Sequence, residues 1–145
     1  MKDIKVDTEK EKKAELQQKL VVYQLMQKHL EELREQALML ERKFVELETA
    51  KQTLSDLEKT KKGNELFFPL GAGIYAKANV HDNKDLMMDL GAGIVARKSP
   101  ASAKKILEER EKEIEDSGKG LQDEMTTTAA KLNEIANELQ KMAGQ

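Results

Sequence analysis

Two histidines, two glycine-punctuated segments and many carboxylates are the only places in this 145-residue chain where chemistry could be sought. His29 stands in His29-Leu30-Glu31 without a second imidazole at the spacing a helical zinc motif needs, and His81 lies in a different, polar stretch. Both read as surface histidines. Asp82-Asn83-Lys84-Asp85 is too short for a calcium loop, which needs about twelve residues closed by a Glu. Gly71-Ala72-Gly73 and Gly91-Ala92-Gly93 superficially suggest a phosphate loop. Such a loop must lead from a strand into a helix whose first amides hold the anion, whereas here a strand follows and no Gly-Lys-Ser/Thr occurs. These glycines read as turn formers. Glu9, Glu11, Glu31, Glu32 and Glu35 interleave with lysines as solvated helix faces do. With no cysteine there is no disulfide, thiolate site or redox switch. No nucleophile–base pair is evident, so the expectation is a protein that is not an enzyme and holds neither cofactor nor metal.

Composition points to long helices. Aromatics make up 3% and charged residues 36%, with no Trp, which leaves little bulky material for a compact core. Disorder competes as an explanation of that polarity, but sustained heptads oppose it. A formal net charge of −2 gives no general attraction to nucleic acid or anionic membrane. No apolar run approaches the roughly 18 residues of a membrane span, and Met1-Lys2-Asp3-Ile4-Lys5 lacks a signal-peptide core. A cytoplasmic location is expected.

The heptads define two arms. Leu16, Tyr23, Met26, Leu30, Leu33, Ala37, Leu40, Phe44, Leu47 and Leu54 recur at steps of three and four, or their sums. Leu107, Ile114, Leu121, Met125, Leu132, Ile135, Leu139 and Met142 form a second series. A seam this narrow is buried by another helix. Thr8 and Glu11 make a capping box that predicts a first helix over 8–62, about 80 Å long at ~1.5 Å per residue, stopped by Gly63-Asn64. Ser99 as N-cap and Pro100 at the first helical position predict a second helix over 99–143. Their nearly equal heptad lengths suit an antiparallel hairpin that brings Leu16 near Met142 and both chain ends to one distal tip. Gly118 and Gly120 interrupt the second helix, each costing about 1 kcal/mol relative to Ala. They mark either a soft point or a tight contact with the first helix.

Between the arms, residues 64–98 contain a repeat: Leu70-Gly71-Ala72-Gly73-Ile74 is matched by Leu90-Gly91-Ala92-Gly93-Ile94. Leu66-Phe67-Phe68 precedes the first copy and Leu86-Met87-Met88 the second, giving strand, glycine turn or bulge, strand, twice over. His81 to Asp85 joins the copies as a polar turn. Four short strands with open edges and few large side chains need partner chains. Leu66, Phe68, Leu70, Ile74, Leu86, Met88, Leu90 and Ile94 are the candidate oligomerisation residues.

Other apolar residues leave the seam. Val21, Val22 and Leu25 point partly away from the partner helix, Ile4 and Val6 precede the predicted helix, and Met142 reaches the same tip from the second arm. A cluster at an arm tip marks a binding surface more often than scattered exposure does. Leu38, Met39 and Val45 also leave the seam in mid-arm. The plainer alternative is a slightly broad helix–helix interface.

This order of long helix, repeated hairpins and long helix resembles the prefoldin family. Phe68-Pro69-Leu70-Gly71-Ala72-Gly73 and Asp89-Leu90-Gly91-Ala92-Gly93-Ile94 look like the two hairpin signatures of its archaeal α-class subunits. The layout match covers almost the whole chain and the residue-level match 66–98. The resemblance implies an α+β fold, a long antiparallel coiled-coil hairpin whose two central β-hairpins form part of an oligomeric β-barrel platform. It further implies a hexamer of two α and four β-class subunits. Such an assembly would be an ATP-independent holdase that grips unfolded client proteins at the arm tips and delivers them to a group II chaperonin. The interruption at Gly118 and Gly120 and the short C-terminal end depart from the family's usual arm. A filament-forming or structural relative would share the hairpins but assemble end to end. A plain coiled-coil tether would not need four glycine-punctuated strands.

Overall fold

A computed structural model of the chain describes residues 2–144. It runs α1 (Lys2–Lys59), β1 (Glu65–Gly71), β2 (Ile74–Asn79), β3 (Leu86–Gly91), β4 (Ile94–Lys98) and α2 (Pro100–Ala143). The chain divides into two compact units, one of residues 1–41 with 116–145 and one of residues 42–115.

In the first unit α1 and α2 lie antiparallel. Lys19 Nζ reaches Glu138 Oε2 at 3.0 Å, and His29 Nε2 meets Glu124 Oε1 at 3.0 Å. The heptad seam is the buried line between them: Leu30 and Leu33 are buried, and Leu16, Tyr23, Met26, Leu121, Met125, Leu132, Ile135 and Leu139 are half-buried. Thr128 joins the seam at 6% exposure, a polar residue on the buried line. The helix start differs from the expectation. Thr8 is no cap, since its Oγ1 donates to the carbonyl of Ile4 at 2.7 Å, one turn back within a helix that has already begun. Local propensity permits this: the residues ahead of Thr8 include the good helix former Lys5 and neither Gly nor Pro. Residues 3–15 are exposed all round, so Ile4 and Val6 lie on α1 rather than ahead of it.

Gly118 and Gly120 lie inside an unbroken α2. Gly118 occupies a seam position, yet a β-carbon at either glycine would meet nothing within 4 Å. Close approach of α1 is therefore not what these glycines provide, and that reading is set aside.

In the second unit the ends of both helices carry the hairpins. Ser99 caps α2 as expected, its Oγ accepting from the Ser102 amide at 3.2 Å, and Pro100 opens the helix. α1 ends at Lys59, three residues before the expected stop, and Gly63 follows with φ of 91°. The Gly63 amide donates to the carbonyl of Val80 at 2.7 Å, and the Val80 amide to that of Asn64 at 2.9 Å. These two bonds extend the first hairpin toward the helices and bury Val80 at 5% exposure.

β1 pairs antiparallel with β2, and β3 with β4, as two separate two-stranded sheets. Both hairpins turn in the same way. Gly71 faces Ile74 and Gly91 faces Ile94, leaving Ala72-Gly73 and Ala92-Gly93 as two-residue loops with positive φ throughout: 52° at each Ala, 78° and 76° at the glycines. Positive φ at both central positions is the primed turn that matches strand twist. The register slips just before each turn, so Leu70 and Leu90 are the extra residues of a bulge.

Candidate functional site

The hairpin surface is built from strands too short to bury their own side chains. In the second hairpin Leu86, Met88, Ala96 and Lys98 share one face, which is half-buried, while Met87 on the other face is 77% exposed. Arg110 of α2 donates from Nη2 to the carbonyl of Asp89 at 3.1 Å, and the Asp89 side chain accepts the Gly91 amide at 2.8 Å, so this hairpin is tied to its helix. An apolar groove of about 550 Å³ lies beside it, lined by Val45, Thr49 and Leu54 of α1, Leu86 to Met88, and Ala103 and Leu107 of α2. The linker between hairpins is fastened too. The Asn83 side-chain amide donates to the carbonyls of Leu57 at 3.2 Å and Thr60 at 3.0 Å, satisfying acceptors that the end of α1 would leave open.

Of the eight residues expected to serve oligomerisation, Phe68, Leu70, Ile74, Leu90 and Ile94 are exposed, whereas Leu66, Leu86 and Met88 are half-buried within their own chain. Phe67, Tyr75, Met87 and Val95 were not among the eight and are equally exposed. Strand alternation was the signal for them: apolar residues fall on both faces of each hairpin, and a sheet with two apolar faces is covered on both.

The second surface lies on the first unit. Val21, Val22 and Leu25 are exposed, Leu25 at 62%, and Leu20 beside them is exposed as well. Ala14, Gln17, Gln18, Val21 and Val22 outline a shallow groove of about 510 Å³. Ile4 at 72% and Val6 are exposed on the unpaired stretch of α1. Met142 is half-buried in the helix seam and is the least available of the six residues expected at the tip. Leu38 and Met39 in this unit, and Val45 in the other, are exposed to a similar degree.

Ionic contacts between the helices are few and specific. Lys51 Nζ donates to Glu111 Oε2 at 2.8 Å and also lies 3.1 Å from Glu48. Glu111 is buried, and its other oxygen, Oε1, has no hydrogen-bond partner among the described residues. Hydrogen bonds, to Glu111 above all, hold the Lys51 ammonium above its ordinary pKa, and Lys51 in turn lowers that of Glu48. Lys19 is raised in the same way by Glu138. Lys104 adds an outer pair with Glu58 at 2.9 Å. Among the described residues no cluster of His, Asp and Glu could hold a metal ion, and no helix is long and apolar enough to cross a membrane. His29 and His81 are far apart in sequence, in α1 and in the linker between hairpins, and His29 is engaged by Glu124. The arrangement offers apolar surface and open strand edges.

Comparison with known proteins points the same way. The profile of the prefoldin subunit family matches residues 26–145. Prefoldin subunit alpha 2 of Thermococcus kodakarensis is 33% identical over 89 residues, spanning 61% of this chain and 63% of that protein. Prefoldin subunit alpha of Pyrococcus horikoshii is 26% identical over 129 residues, 88% of this chain and 87% of the relative. That of Nitrosopumilus maritimus is 30% identical over 83% of this chain and 88% of its own. Among solved structures, filamentous PFD from Methanocaldococcus jannaschii superposes with a TM-score of 0.72 at 20% identity, covering 80% of this chain and 96% of that one.

Proposed function

The chain belongs to the prefoldin family, in its archaeal α class, and from that premise we propose that this chaperone-type subunit works as an ATP-independent holdase. Its hairpins join those of β-class subunits, in a closed hexamer of two α and four β chains, and its arms hold unfolded proteins for transfer to a group II chaperonin. The observation that carries this reading is the placement of exposed apolar surface. Ile74, Leu70, Ile94 and Met87 stand open on sheets whose edges are unpaired among the described residues, while a second apolar set, Val21, Val22 and Leu25, belongs to the other unit. Unpaired edges favour strand addition from another chain. Each apolar side chain on the arm would contribute about 1.5–3 kcal/mol when covered, so capture of a client rests on several arms acting together, and needs no nucleotide.

Co-expression with a β-class subunit, followed by native mass spectrometry and an aggregation assay on a denatured client, tests the proposal. One discrete mass together with suppressed aggregation is the expected result. An open series of masses would instead favour end-to-end assembly, the reading suggested by the filamentous structural relative. A discrete complex that leaves aggregation unchanged would remove the holdase role.

A further inference from the structure

From Leu16 to Leu54 the covered positions of α1 recur at alternating steps of three and four, with Ala50 also covered beside Lys51, and all are apolar except two, Lys19 and Lys51. Each lysine is matched on α2 by a carboxylate. Glu138 stands 3.0 Å from Lys19, and Glu111, buried, stands 2.8 Å from Lys51. Each lysine also has a carboxylate one turn back on α1, Glu15 at 3.5 Å and Glu48 at 3.1 Å. A lysine on a coiled-coil seam gives up some burial of apolar surface, and its recurring use is to fix partner and register.

We propose that Lys19 and Lys51 select the partner of the α1 seam: they admit a helix carrying carboxylates at the two facing positions, which α2 is, and reject a second copy of α1. The spacing carries this. In a parallel pair of α1 helices in register, each lysine meets its own counterpart. In an antiparallel pair the register of full overlap is centred on residue 35, the midpoint of Leu16 and Leu54. Residue 35 is also the midpoint of Lys19 and Lys51, so in that register lysine again faces lysine at both ends. Without the two charges the α1 seam, apolar everywhere else, would accept itself. The need is real in any assembly that gathers several chains by their hairpins, because effective concentration then favours exchange of helices between neighbours.

The chain has no cysteine, so introduced thiols report pairing directly. Positions 33 and 37 face each other in the antiparallel α1 pair. Full-length Leu33→Cys and Ala37→Cys chains are unfolded, refolded together and oxidised, and the mixed disulfide dimer is measured. With both lysines present the dimer should be scarce. Lys51→Gln, which removes both lysine–lysine meetings of the antiparallel pair, should raise it several-fold. Lys51→Glu should raise it further, by about tenfold over the parent, because the introduced carboxylate would face Lys19 of the second copy. Adding Glu111→Lys to Lys51→Glu restores the match within the chain and should bring the dimer back down. Helical signal is followed throughout, and Lys19→Glu, the mirror of the first reversal, repeats the test if Lys51→Glu does not fold. A mixed disulfide no more abundant in the reversals than in the parent would overturn the proposal.

Discussion

The helix seam and the hairpins of this chain treat apolar surface in opposite ways. Along the helix pair the large residues of the seam face one another, and Leu33 keeps 3% of its surface exposed. On the hairpins Met87 keeps 77%, Leu70 69% and Phe67 66%. The difference follows from geometry. A long amphipathic helix has one apolar stripe, and a second helix of the same chain is long enough to cover it. A hairpin of five to seven residues a strand has two faces and two edges, with nothing in its own chain to cover them all. The helix seam is therefore covered within the chain, whereas the hairpins keep apolar faces that their own chain does not cover.

Breaking the open side of that contrast should have the largest effect. Ile74→Lys together with Ile94→Lys places a charge at the first residue after each turn, where both isoleucines are exposed. Native mass should fall to smaller species while far-ultraviolet dichroism keeps most of its helical signal. An unchanged mass would move the contact away from those strands. Next comes the closed side. Leu33→Ala removes a buried seam residue and should cost about 3 kcal/mol, read as a lower midpoint in thermal unfolding with the assembly's mass retained at low temperature.

Smaller effects sharpen the helical half. Gly118 and Gly120 have helical backbones and open space where a β-carbon would go, so Ala at both should stabilise the arm by about 1 kcal/mol per site. In the parent chain, hydrogen exchange around them should outpace that in the flanking turns, and uniform protection over residues 110–130 would remove the soft point. The smallest effect is in pH. Lys51 has its pKa raised by Glu111, so its contribution is complete at neutral pH and fades as pH rises through the raised value. Glu48 has its pKa lowered by Lys51, so its contribution is present at neutral pH and fades on acidification. Unfolding midpoints of Lys51→Gln should lose the alkaline part of this dependence.

Sequence made the seam and the hairpins visible for physical reasons. Period-3.5 burial leaves a period-3.5 pattern, and a two-residue turn with positive φ at both positions demands the repeated Ala-Gly that stands at 72–73 and 92–93. Ser99 and Pro100 were legible because a cap acts within one turn. What stayed hidden depends on residues distant in sequence. Lys19 and Lys51 look like surface lysines until α2 supplies Glu138 and Glu111. Asn83 looks like a turn residue until its amide is found on the end of α1. Thr8 misled in the other direction, because a capping box is a local preference that a helix with ordinary formers ahead of it can override. The placement of Val21, Val22 and Leu25 off the seam was readable from heptad phase, and their exposure agrees with it.

The central claim is that assembly and capture reside in separate parts of the molecule. Val21→Ser, Val22→Ser and Leu25→Ser in one chain, purified as the complex with the proposed β-class partner, test it most directly. Native mass and helical content should match the parent, while suppression of aggregation of a denatured client should weaken markedly. A triple variant of unchanged mass that protects the client as well as the parent would contradict the claim and send the search for the binding surface to Leu38, Met39 and Val45.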